Sequence, residues 1–124
     1  MKLYHGSPNP DLKIRSVYPS RYGVTAFFAT PDRTLAEAYA KYYNGSLYEI
    51  EAMPPQVNIN FERRDTYNSV IRDYIKEYSK MPYPSIKFLN CLDRPAPGFP
   101  QCIADVVCIF KTSAIISITK IHTF

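Results

Sequence analysis

Proline sets the grain of this chain. Eleven prolines occur in the sequence, five of them directly beside glycine, asparagine or a second proline. Each removes a backbone donor and fixes φ, so neither a long helix nor a central strand can run through these points. The breakers are Gly6-Ser7-Pro8-Asn9-Pro10, Thr30-Pro31, Pro54-Pro55 and the five prolines at 82, 84, 95, 97 and 100. A chain cut this way has to assemble its core from short elements.

The segments between breakers carry readable periods. Lys2 to His5 reads as a strand stopped by Gly6, and Tyr22 to Ala29 as a β-prone run ended by Thr30-Pro31. Thr30 is then the expected N-cap of a helix with Pro31 at its first position. Leu35, Ala36, Ala38, Tyr39, Tyr42 and Tyr43 form the helical stripe, which ends at Asn44-Gly45. Ser46 to Ala52 alternates as a strand, and Val57 to Phe61 is a shorter one. Asp65 is the expected cap of a second helix from Thr66 to about Ser79, with Val70, Ile71, Tyr74, Ile75 and Tyr78 on its apolar face. Met81 to Pro100 reads as a long ordered loop with a strand at Ile86 to Cys91. Asp105 to Phe110 and Ala114 to Ile121 are the most β-rich segments. Helices and strands do not alternate as βαβ winding requires, so the expected class is α+β.

The length of 124 residues fits one domain spanning 1–124. Hydrophobic residues make up 46% and charged residues 21%, the balance of a globular chain rather than a disordered one. No apolar run approaches the roughly 18 residues of a membrane span, and Met1-Lys2-Leu3-Tyr4-His5 lacks a signal-peptide core, so neither membrane insertion nor secretion is expected. Three cysteines, Cys91, Cys102 and Cys108, without CxxC spacing suggest neither a disulfide framework nor a zinc site, and a cytoplasmic location follows as the expectation. The net charge of +4 permits a polyanionic partner but is not gathered into a basic block. Eleven tyrosines and seven phenylalanines fill a core first, and some of them can stack on a planar ligand.

Two blocks carry chemistry. His5-Gly6-Ser7 follows the first strand, where an imidazole can meet a ligand hydroxyl and Gly6, lacking a side chain, can offer its backbone N–H and C=O to a carboxamide. Gly23 to Thr30 leads into the helix that bears Tyr39, and a ring of the Phe27-Phe28 pair with Tyr39 can sandwich a flat ligand. Taken singly, these residues read more readily as a strand end and as core than as a site.

Taken together and in this order, the two blocks resemble the ADP-ribosyltransferase superfamily, in its diphtheria-toxin-like His–Tyr–Glu branch. The resemblance implies a split pair of small antiparallel sheets with a few flanking helices and NAD+ bound between them as co-substrate, with no metal. It implies that His5 holds the adenosine ribose, that the Gly6 backbone and Ser7 lie at the nicotinamide end, and that Tyr39 stacks on nicotinamide. Phe27 stands where the family has a tyrosine, so a ring remains and a hydroxyl is missing. Arg21, with Lys13 and Arg15, supplies positive charge for the pyrophosphate.

The family's third element is an acid at the start of a late strand. Asp105 in Asp105-Val106-Val107-Cys108-Ile109-Phe110 has that place, with Asp93 in reserve. A gapless alignment backward from Lys111-Thr112-Ser113 puts Val106 at the acid position, so Asp105 turns inward only through a bulge or a shifted strand start. A carboxylate is wanted because breaking the ribose–nicotinamide bond develops oxocarbenium-like charge.

The expected activity is therefore a small mono-ADP-ribosyltransferase, a glycosyltransferase of toxin or effector type acting on a protein acceptor. A nucleic-acid acceptor and a catalytically silent member that binds an NAD-like ligand or a partner are the alternatives. Ile103 and Gln101 do not match the pattern of arginine-directed members, and the loop Met81 to Gln101 is the expected recognition element. His122 reads as structural.

Overall fold

A computed structural model describes residues 1–14, 26–66, 69–95 and 98–124. In chain order these form β1 (Lys2–Ser7), β2 (Phe27–Ala29), α1 (Arg33–Tyr42), β3 (Ser46–Ala52), β4 (Asn58–Asn60), α2 (Ser69–Tyr78), β5 (Ser85–Asp93), β6 (Cys102–Ile109) and β7 (Ile115–Thr123). The result is a small α+β fold of two sheets and two helices. The first sheet runs β1-β3-β7 and is antiparallel throughout. The second runs β2-β6-β5-β4; its β4–β5 pair is parallel, because α2 lies between the two strands and returns the chain to the same end. The sheets are thus not all antiparallel, and β4-α2-β5 is a βαβ unit that the sequence pattern did not disclose.

The core has three parts. Leu3, Tyr48 and Ile50 of the first sheet pack on Phe27, Val107 and Ile109 of the second. The other face of the second sheet, with Ile86, Phe88, Val106 and Cys108, is covered by Ile71 and Ile75 of α2. Helix α1 lays Ala36 and Ala40 on Leu47 and Tyr4. Gly6 makes this last packing possible, because a Cβ there would collide with the Ala36 carbonyl oxygen and the Ala40 backbone nitrogen.

Several element ends differ from expectation. β1 continues through Gly6 and Ser7, since pairing with Leu47 and Ser46 outweighs the glycine's weak strand preference. The cap of α1 is Asp32, whose carboxylate accepts the Leu35 N–H at 3.1 Å. Thr30 is drawn instead into a backbone bridge with Tyr4, at 2.7 and 2.9 Å, which ties the second sheet to the first. Strand β5 fills nearly half of the segment expected to be loop, starting one residue before and ending two residues after the strand expected at Ile86 to Cys91. Its bounding prolines lie outside its nine residues, where they end a strand rather than interrupt one. β6 begins at Cys102, before Asp105. The part of the β-prone run at 22–25 lies outside the described residues. Among the described residues no helix is long and apolar enough to cross a membrane.

Candidate functional site

Beside the Tyr4–Thr30 bridge a cavity of about 390 Å³ lies between β1, β2, α1, the start of α2 and the end of β5. That volume lies in the range of small-molecule sites. Tyr4, His5, Gly6, Phe28, Tyr39 and Asp93 stand among its lining residues.

The backbone of β1 explains why Gly6 faces the cavity. Tyr4 exchanges both its N–H and its C=O with Thr30, so its position opposite Glu49 is a non-hydrogen-bonded one in the β1–β3 ladder. Two residues on, Gly6 has the same orientation, and its N–H and C=O point away from β3. The strand edge that Thr30 occupies at Tyr4 is therefore presented to the cavity at Gly6.

His5 is half-buried. Its Nδ1 lies 2.6 Å from the Phe28 carbonyl oxygen and its ring 4.3 Å from that of Phe27. Burial lowers its pKa from 6.5 to about 4, partly offset by the Phe28 carbonyl, which favours the protonated ring. The imidazole is thus neutral at pH 7. With Nδ1–H donating to Phe28, Nε2 is left as an acceptor suited to a ligand hydroxyl.

Asp93 is 5% exposed, and its Oδ1 accepts the Tyr39 hydroxyl at 2.7 Å. The Arg94 N–H and the Thr66 hydroxyl also donate to its carboxylate. Burial nevertheless holds its pKa above the usual carboxylate value, with the nearby Asp65 adding to the rise, while those three donors act against it. A cavity lined by a buried carboxylate and by the rings of Tyr4, Phe28, Tyr39 and Tyr43 suits a flat ligand with positive charge.

The structure brings His5, Gly6, Phe27 and Tyr39 together around this cavity, and Asp93 with them. Ser7 does not line it; the Ser7 hydroxyl is buried and accepts the Asn9 N–H at 3.0 Å, stapling the turn after β1. Asp105 does not line it either. Its carboxylate lies on the opposite face of β6, 3.7 Å from Lys87 Nζ, and Val106 faces the cavity in its stead. Asp93, the reserve candidate, is the carboxylate that lines the cavity. Arg21 and Arg15 lie outside the described residues, and Lys13 pairs with Asp11 at 3.2 Å. Among the described residues no lysine or arginine lines the cavity. His122 is exposed, with its ring against Phe124. Thr66 and Phe28 enter the site without any sequence signal beyond the former's place at a helix start and the latter's in an aromatic pair.

Cys91 and Cys108 are buried, and burial raises both thiol pKa values, that of Cys91 to about 12. Among the described residues no group of three His, Cys, Asp or Glu side chains is placed to hold a metal ion. No known protein family, curated protein or solved structure matches the chain.

Proposed function

We propose that this chain is an NAD+-dependent mono-ADP-ribosyltransferase with the split-sheet fold of that superfamily, acting in the cytoplasm on a protein acceptor. The observation that carries the reading is the meeting of a neutral imidazole, an outward-facing glycine edge, an aromatic helix face and a buried carboxylate around one cavity. These groups fit the nicotinamide riboside portion of NAD+. The Gly6 N–H and C=O match the acceptor and donor of a carboxamide, and Tyr39 offers a ring for the pyridinium. His5 Nε2 accepts from a ribose hydroxyl. Asp93 faces the positive charge that grows on the ribose as the glycosidic bond breaks and nicotinamide leaves, and it does so from a fixed, largely dry position.

The test is release of nicotinamide from NAD+ followed by transfer of labelled ADP-ribose to proteins of a lysate. Asp93→Asn is expected to slow nicotinamide release by about 100-fold or more with the fold intact, the usual effect of removing one preorganised electrostatic group. Unchanged release in that variant would overturn the reading. Val106 at the expected acid position favours a second reading, a catalytically silent protein that binds an NAD-like ligand. In that case NAD+ binds and no nicotinamide appears. Nuclease treatment of the lysate, if it abolished labelling, would move the acceptor from protein to nucleic acid.

A further inference from the structure

Asp93 reaches the cavity because β5 carries one residue more than its neighbour. Through the first half of β5 the register with β6 is regular, with Ile86 opposite Cys108, Lys87 opposite Val107 and Phe88 opposite Val106. Side chains alternate faces along a strand, so Ile86 and Phe88 face α2 while Lys87 faces the other way. Continued without interruption, that alternation would send Cys91 and Asp93 to the face of Lys87.

The register shifts between Phe88 and Cys91, so that Leu89 and Asn90 together stand against Asp105 alone. After this bulge Cys91 lies in the α2-side core with Phe88, and Asp93 lines the cavity. Asn90 takes a left-handed backbone conformation at φ 58°, which asparagine adopts more readily than most residues with a side chain. The Asn90 N–H donates to Asp105 Oδ1 at 3.1 Å, the Asn90 carbonyl accepts the Arg63 N–H at 2.8 Å, and its side-chain amide donates to Asn60 Oδ1 at 3.3 Å.

We propose that Asp105 is a positioning residue whose carboxylate holds the Asn90 bulge of β5 and thereby sets Asp93 in the cavity. The bulge that Asp105 needed in order to point inward exists, but on the adjacent strand, and it delivers a different carboxylate. The catalytic consequence rests on the transferase reading above; the latch itself does not.

The experiment compares Asp105→Ala, Asp105→Asn and Lys87→Met with the unaltered chain. It follows the Asp93 carboxyl by ¹³C NMR titration, assigned with Asp93→Asn, alongside kcat for nicotinamide release from NAD+. Asparagine keeps an oxygen that accepts the Asn90 N–H, and alanine does not. Asp105→Ala is expected to return the Asp93 titration toward that of an ordinary carboxylate and to lower kcat about 10-fold or more. Asp105→Asn and Lys87→Met should stay within about twofold of the unaltered chain, since both keep the latch and lose only the Lys87 ion pair. An Asp93 titration unmoved in Asp105→Ala, or an asparagine variant no better than alanine, would overturn the proposal. Should the alanine variant fail to fold, hydrogen exchange in the unaltered chain decides: the Asn90 amide must exchange slowly although its residue is exposed, and exchange at the rate of a free amide refutes the latch. If the unaltered chain releases no nicotinamide, the transferase reading falls while the Asp93 titration still decides the role of Asp105.

Discussion

Acidification should weaken this fold through His5 by an amount that the structure allows to be worked out. The ring titrates near 6.5 in an unfolded chain and near 4 in the folded protein, because burial disfavours its charge. Between these values the unfolded chain takes up a proton that the folded protein refuses. Stability from this group is therefore complete above pH 6.5 and is lost as the pH falls toward 4. At about 1.4 kcal/mol per pH unit the loss reaches about 3 kcal/mol. Asp93 acts in the opposite sense. Its raised pKa means that the folded protein holds the proton more tightly, so stability is lost as pH rises from the ordinary carboxylate value through the folded one. The Asp93 window runs upward from the ordinary carboxylate value into the range where His5 acts, and a variant comparison separates the two. Urea unfolding of the unaltered chain and of His5→Gln, from about pH 7.5 down to about 4, should show the difference in unfolding free energy moving by about 3 kcal/mol in favour of glutamine. The NMR signals of the two histidines provide a direct check, with the His5 ring remaining neutral until the pH approaches 4. A His5 ring that titrates near 6.5, or a stability difference that does not change with pH, would refute the argument.

Gly6→Ala should destabilise the protein by about 1–3 kcal/mol, seen as a lower Tm, because the added methyl overpacks the seat of α1. Tyr39→Phe removes one of the donors to Asp93 and should cost about 1–3 kcal/mol in urea unfolding; the Asp93 titration should move further upward, and a downward move would contradict the assignment of that hydrogen bond. A thiol reagent at about pH 8 should modify Cys102 in the native protein and all three cysteines in urea. Rapid native labelling of Cys91 or Cys108 would contradict their burial.

Legibility followed the reach of the physics behind each element. Helix α1 and strand β3 are readable because their apolar periods are local, although Tyr42 and Tyr43 at the end of the helical stripe are exposed. The cap of α1 is not fixed locally, since Thr30 and Asp32 are equally good cap residues and the bridge to Tyr4, a long-range contact, chooses between them. The full length of β5 is hidden because prolines at 82, 84 and 95 look like a loop when counted, whereas as flanks they only delimit a strand. In the site, His5, Gly6 and Tyr39 were visible through their order and spacing. Asp93 displaced Asp105 for a reason no local pattern records, a one-residue change of register between two strands. Asn90, a residue that tolerates positive φ, was the one trace of that bulge in the sequence.

The seat of α1 on Gly6 has a consequence for how this molecule can vary. The atoms that a larger residue would strike are the Ala36 carbonyl oxygen and the Ala40 amide nitrogen, which every amino acid possesses. No second substitution on the helix can therefore make room, and suppressors of a Gly6 defect have to shift the whole helix. Such a shift would drag the Tyr39 ring away from its carboxylate. The floor of the cavity and the footing of the helix are one residue, so neither can drift without the other.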